Sequence, residues 1–225
     1  MHRRRRTART ALLVPAAALL AAAPLLTACG SDAHPGTAAV VGGERITVSQ
    51  VQNRVKAAQS ALRSATGSEQ QYQQAVSGTG TLPRTTLENM VLSRVMDRTA
   101  KDEGVTPSRA ELQAQRAVFE QQSGGAKGLE NIWLQRYNVA PRYLDENLRT
   151  ELEARKIANK LGIDMNSQEG QNGLWKRLAE TSKTLHVDLN PRYGTWDNTR
   201  STRVDKKLPW LKDTSSAAAA SPQSA

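Results

Sequence analysis

The sequence is short of the side chains on which most enzyme chemistry depends. Its 225 residues include one cysteine, Cys29, and three histidines, His2, His34 and His186. A lone cysteine cannot close a disulfide within the chain or build a cysteine-based metal site. No His-Glu-x-x-His pair, carboxylate-rich calcium loop or nucleophile-elbow pattern accompanies the histidines. His2 and His34 lie in segments read below as leader and tether. His186 alone is left to the folded part, in a stretch patterned like a half-exposed strand. The expectation is therefore a protein with no catalytic residue, no cofactor and no metal site. Aromatic residues are equally scarce, at 4% of the chain, with Phe119 the only phenylalanine. Hydrophobic residues total 38%, too few for a polytopic membrane protein and thin for one large core.

Long apolar runs are also missing, apart from one near the start. Residues 1–28 open with Arg3, Arg4, Arg5, Arg6 and Arg9 and contain no acid; Ala11 to Leu26 is then apolar apart from Pro15 and Pro24. At sixteen residues this run falls short of the roughly 20 that a spanning helix needs. A basic start, a short apolar stretch and small residues after it read as an export leader. The run ends in Leu26-Thr27-Ala28-Cys29, which resembles the bacterial lipobox. That resemblance implies that Cys29 receives a diacylglycerol and becomes the mature N-terminus. Two acyl chains, at about 0.8 kcal/mol per buried methylene, anchor a protein stably where one does not.

The leader also accounts for half of the net charge of +10; its five arginines leave +5 on the remainder. That surplus is spread along the chain, and an exported protein does not meet cellular DNA. Nucleic acid is therefore not an expected partner, although the sequence pI is near 10.1.

Residues 29–37 are small and polar and read as a tether. Next, Val40-Val41-Gly42-Gly43-Glu44-Arg45-Ile46 places a Gly-Gly turn between two apolar pieces, a hairpin signal. Thr47, with Gln50 three residues on, predicts a capping box opening a helix. Its stripe is Val48, Val51, Val55, Ala58 and Leu62. Residues 66–83 read as a polar loop. A second helix is expected from Thr85, capped by Glu88, and a third from Thr106-Pro107. A fourth covers Leu129 to Tyr137. A fifth opens at Pro141, with Asp145–Arg149 and Glu151–Arg155 as i,i+4 pairs, and a sixth runs from about Glu169 to Thr184. His186 to Pro191 then alternates like a strand. The fold class is mostly α, about six helices with a minor antiparallel sheet formed by the N-terminal hairpin and the C-terminal strand. Residues 38–197 form the folded domain. Residues 198–225 are expected to be disordered, with Leu208-Pro209-Trp210-Leu211 either docking as an island or dangling.

The order of these elements carries a resemblance. Ala39-Val40-Val41-Gly42-Gly43-Glu44-Arg45-Ile46-Thr47 leading into an amphipathic helix resembles the N-terminus of SurA- and PrsA-type extracytoplasmic chaperones. Gly104-Val105-Thr106-Pro107 and Pro141-Arg142-Tyr143-Leu144 resemble the starts of that family's later helices. Val187 to Asp197 resembles the terminal strand of SurA-like lipoproteins of actinomycetes. Members usually insert a parvulin prolyl-isomerase domain of about a hundred residues after the long helix. Here only Leu161 to Gln168 separates the two helices concerned, so isomerase activity does not carry over.

The resemblance implies a lipid-anchored, ATP-independent chaperone on the outer face of the cytoplasmic membrane. Its partners would be unfolded exported polypeptides and, through Cys29, the membrane. The mechanism expected from the helical stripes is that helices splay and leave strips of Leu, Val and Met uncovered. Trp133, Tyr137, Trp175, Tyr193 and Trp196 are the candidate lining of a client groove; the alternative is that they fill the small core. At the level of function, the alternative is a non-catalytic envelope scaffold with one dedicated partner.

Overall fold

The computed structural model describes residues 36–77 and 79–205. Cys29, the leader and the expected tail beyond Asp205 lie outside the described residues. Among those described, seven α-helices and two small antiparallel sheets form a mostly helical protein. No described helix is long and apolar enough to cross a membrane.

The described residues begin with the expected hairpin, β1 (Thr37–Val41) and β2 (Glu44–Thr47). Gly42 and Gly43 turn it with φ of 59° and 83°, the left-handed pair a two-residue hairpin requires. Gly42 is held further: a Cβ there would meet Leu185 Cδ2 at 2.7 Å, and its own N–H donates to the Leu185 carbonyl at 2.7 Å. Helix α1 (Val48–Ala65) starts with the predicted capping box. The Gln50 amide donates to Thr47 Oγ1 at 3.1 Å, and the Thr47 amide donates to Gln50 Oε1 at 2.8 Å.

The stretch expected to be a loop contains α2 (Glu69–Val76), capped by the Ser68 hydroxyl, which accepts from the Gln71 amide. No residue of α2 is buried, so no apolar periodicity betrays it. Helix α3 (Leu82–Asp102) begins three residues before the expected Thr85. Glu88 does not cap it; its Oε1 instead accepts from the Arg203 amide at 3.0 Å. Helix α4 (Arg109–Gln122) is opened by a Ser108–Glu111 capping box, so Pro107 stands before the cap, where its missing N–H costs nothing. Helix α5 (Ala126–Tyr137) ends at left-handed Asn138. Helix α6 (Leu144–Leu161) follows a 3₁₀ turn at Pro141–Tyr143. The expected local pairs do not form: Asp145 and Arg155 reach across to α4, and Arg149 pairs along α6 with a different acid. Asp145 pairs with Arg116, Arg155 donates to Gln115, and Arg149 pairs with Glu153.

Helix α7 (Gln168–Thr184) leads to β3 (Asp188–Leu189), which pairs antiparallel with β1 through Ala39–Leu189 and Val40–Asp188. The first and last parts of the domain therefore close one sheet, in the order β2-β1-β3. Asn190 reinforces the junction, donating from its amide to Ala38 O and from its side chain to Thr37 O.

The ordered chain then goes beyond residue 197. Strands β4 (Thr195–Asp197) and β5 (Thr202–Val204) form a second hairpin, so residues 198–205, expected to be disordered, are part of the fold. Gly194 (φ 109°) makes this possible: a Cβ there would lie 2.4 Å from Val204 O. Asp197 fixes the turn by accepting from the Thr199 amide at 2.8 Å and pairing with Arg200 at 2.7 Å.

Two apolar clusters result. The larger joins the sheet to α1, α3, α6 and α7 through Ile46, Val51, Leu87, Val91, Ile157 and Leu178. The smaller is Leu129, Leu144 and Leu148, with Leu112, Phe119 and Trp133 packed half-buried around it. The stripes of α1 and α3 are buried in the larger cluster. They are not splayed open as expected, because the sheet and α7 cover α3, and α3 and the sheet cover α1.

Candidate binding cleft

Helices α1, α3 and α6 do not close on each other along their full length. Tyr143, from the turn before α6, intrudes between them. It carries the Arg54 guanidinium 4.3 Å above its ring, and Arg54 continues to Glu146 at 2.6 Å. Arg142 lies 5.0 Å from the same ring and donates to the Asn53 carbonyl. This cation–aromatic stack spaces α1 from α6. Further along, Ser93 and Thr150 hydroxyls meet at 3.0 Å across α3 and α6.

Beside the stack opens a cleft of about 230 Å³. Leu82, Leu92, Val139 and Ala140 give it apolar walls; Asn89, Ser93 and Asn147 give it hydrogen-bonding groups. Tyr137 stands at its side, 43% exposed. An aromatic ladder leads there along the surface, Phe119 to Trp133 at 5.4 Å and Trp133 to Tyr137 at 5.7 Å. Trp133 is anchored by its indole N–H, which donates to Asn147 Oδ1 at 2.7 Å. Val118 and Ile132 leave more apolar surface on the same two helices, α4 and α5, at 51% and 43% exposure.

A second, more polar recess of about 460 Å³ shares Arg54, Ser93, Tyr143 and Glu146 with the first. Glu153 is set into it and is 1% exposed. Arg149 Nε lies 3.0 Å from Glu153 Oε1, yet that oxygen receives no aligned hydrogen bond. Burial and the nearby Asp97 carboxylate push the Glu153 carboxyl up to about 7, against the opposing pull of Arg149. On the same recess, Asp97 binds Lys101 at 2.6 Å and holds its ammonium above the ordinary lysine value.

The structure does not gather the five candidate aromatics into one groove. Tyr137 lines the cleft and Trp133 backs it through Asn147. Trp175 is exposed on α7. Tyr193 is buried in the larger core, and Trp196 packs against that core with its indole N–H on Ser182 Oγ at 2.6 Å. Trp196 is thereby fixed where the β4–β5 hairpin meets α7. Tyr143, Arg54 and Glu153 were not legible as site residues. Tyr143 follows a helix-opening proline and reads as part of the cap. Glu153 falls on a 4-3-4 stripe, Glu146-Thr150-Glu153-Ile157, that is polar except for its last member.

Chemically the cleft suits a segment of extended polypeptide. It pairs shallow apolar walls with side-chain amides and hydroxyls that can satisfy a peptide backbone. Among the described residues no group of three or more His, Cys, Asp or Glu side chains is placed to hold a metal ion. Comparison with curated proteins and with solved structures finds no match. A family model described as the SurA-like N-terminal domain matches residues 1–158, a span that runs from the first residue into the last turn of α6. With more than half of its length matched, the chain belongs to the SurA-like N-terminal domain family.

Proposed function

We propose that this protein is a lipid-anchored, ATP-independent chaperone that holds unfolded exported polypeptides at the outer face of the cytoplasmic membrane. The observation that carries the reading is the solvent-open cleft between α3, α6 and the end of α5, with Tyr137 half-exposed on its lining. Family membership supports it. A client segment would lay apolar side chains against Leu82, Leu92 and Val139 and meet Asn89 and Asn147 with its backbone. Apolar burial at about 25 cal/mol per Å² is opposed by about 2–5 kcal/mol for ordering the client. Binding over so small a surface is therefore weak and reverses without fuel. No step of this cycle breaks a covalent bond, and the protein is read as non-catalytic.

The anchor rests on Leu26-Thr27-Ala28-Cys29. Cys29→Ala should release the protein from the membrane fraction; retention would remove the anchor from the proposal. For client holding, the test is suppression of aggregation of several unrelated denatured proteins near equimolar ratio. Protection of all of them is expected.

The charged recess around Arg54, Asp97 and Glu153 favours a second reading, an envelope scaffold with one folded partner. That version predicts no protection in the same assay and one dominant partner in a pull-down.

A further inference from the structure

We propose that the cleft beside Tyr137 is a docking site for this chain's own C-terminal segment Leu208-Pro209-Trp210-Leu211, which competes there with clients. The inference rests on the client-cleft reading only for the competition; the docking itself stands on the geometry below.

Described structure ends at Asp205, and the place where it ends is fixed. Strand β5 is held to α3 by Glu88, which receives the Arg203 amide at 3.0 Å. Asp205 lies 3.4 Å from Arg84 in the first turn of α3 and is bound by Arg203 as well. Arg203 keeps the Asp205 carboxyl below its ordinary value, so the pair stays charged across the neutral range. The chain thus leaves the fold at the N-terminal turn of α3. That same turn supplies Leu82, Thr85 and Thr86 to the cleft. Leu208 is three residues past Asp205 and Leu211 six, a reach of about 10 Å and about 20 Å for extended chain. Both span the width of one helix, about 10 Å.

The segment has the composition the cleft asks for. Leu208, Trp210 and Leu211 are the only large apolar residues after Val204; the rest of the tail is Lys, Asp, Thr, Ser, Ala, Pro and Gln. Pro209 favours extended backbone in the residue before it. Lysines flank the apolar group at 206, 207 and 212. The cleft offers them Glu151, an exposed α6 carboxylate that makes no ion pair among the described residues. Glu146, the other acid on the cleft, is already taken by Arg54. An apolar group bounded by cations is thus matched to a cleft that combines apolar walls, side-chain amides for a peptide backbone and one unpaired anion. A client segment would meet the same walls, so the tail and clients exclude each other.

Zero-length carbodiimide cross-linking of the full chain, read by peptide mass spectrometry, tests the docking without reference to activity. Cross-links from Lys206, Lys207 or Lys212 to Glu151 are expected, within one molecule. They should be lost in Glu151→Gln and in the double variant Leu208→Ser with Trp210→Ser. Neither variant touches the buried core, and an unchanged melting temperature verifies that. Absence of the Glu151 link, or its persistence in the double variant, overturns the proposal. Links that form only between isotopically heavy and light copies also overturn it, in favour of a second molecule as occupant. Client affinity is then compared between the full chain and the double variant. A tail docked about nine-tenths of the time lowers apparent client affinity about tenfold, so the double variant should bind about tenfold more tightly. Cross-links with unchanged client affinity would leave the docking intact and remove the cleft as the client site.

Discussion

The two apolar clusters of this protein are built from the same kind of helix and finished to different degrees. Helix α3 buries eight residues, and Leu87, Met90, Val91, Val95, Met96 and Ala100 of them belong to the larger one. The sheet caps one side, and hydrogen bonds between Thr99, Thr181 and Arg177 close the seam to α7. Around the smaller one, α4 buries no residue at all and α5 only Leu129 and Leu134. Phe119, Trp133 and Tyr137 are left as a half-open ladder. The difference teaches that burial is concentrated in one half of the fold, while the other half keeps apolar surface open to solvent. The sheet and α7 seal the larger core, whereas α4 and α5, which give that core no residue, keep their aromatic ladder partly open.

Breaking the comparison from the stable side should produce the largest effect. Leu178 is fully buried against α3 and the sheet, and Leu178→Ala should cost about 2–5 kcal/mol by chemical denaturation. The buried carboxylate comes next. Glu153 carries a proton in the folded state up to about pH 7, whereas in the unfolded chain it ionises near the ordinary glutamate value of 4.5. The native state thus holds more protons in this window, and this group's contribution to stability falls as pH rises from 4.5 to 7. The loss is about 3 kcal/mol. Glu153→Gln should flatten that slope in a series of denaturation curves; a slope unchanged by the substitution would show that another group causes it.

Two substitutions probe the open side. Trp133→Phe keeps the ring but strands Asn147 Oδ1 without its 2.7 Å donor, for about 1 kcal/mol. The smallest stability effect belongs to Ile132→Ser, at 43% exposure, expected within about 0.5 kcal/mol. The same variant should weaken client binding about fivefold, equivalent to about 1 kcal/mol of lost apolar contact. A large loss of stability from Ile132→Ser would erase the distinction between the two clusters.

Much of the stable half was legible in the chain. The Gly-Gly turn, the Thr47–Gln50 box and the 3-4 stripe of α1 are local patterns, and each forms as read. The closure of the first hairpin by a C-terminal strand was also legible, from its alternation and its terminal proline. What stayed hidden depends on partners distant in sequence. Thr85 and Glu88 have capping-box spacing, but Glu88 is claimed by β5 from 115 positions away. Strand β5 itself is Thr-Arg-Val, without the apolar alternation that marks a strand. Helix α2 buries nothing and so shows no period. In the cleft, Tyr137 was legible as an aromatic on a short helix. Glu153 was not, because only the approach of α3 with Asp97 and Ser93 turns a polar stripe of α6 into a buried one. The aromatics Tyr193 and Trp196 misled for the converse reason: the chain after β3 folds back, which buries Tyr193 in the larger core and sets the Trp196 indole on Ser182 of α7.

Native-state hydrogen exchange of the full chain, with and without an excess of a permanently unfolded polypeptide, tests the division of labour most directly. The account predicts added protection at Asn89 to Ser93 and from Leu129 to Thr150, with α7 and β3 unchanged. Added protection confined to α7 and the sheet, or none anywhere at saturating client, would contradict it.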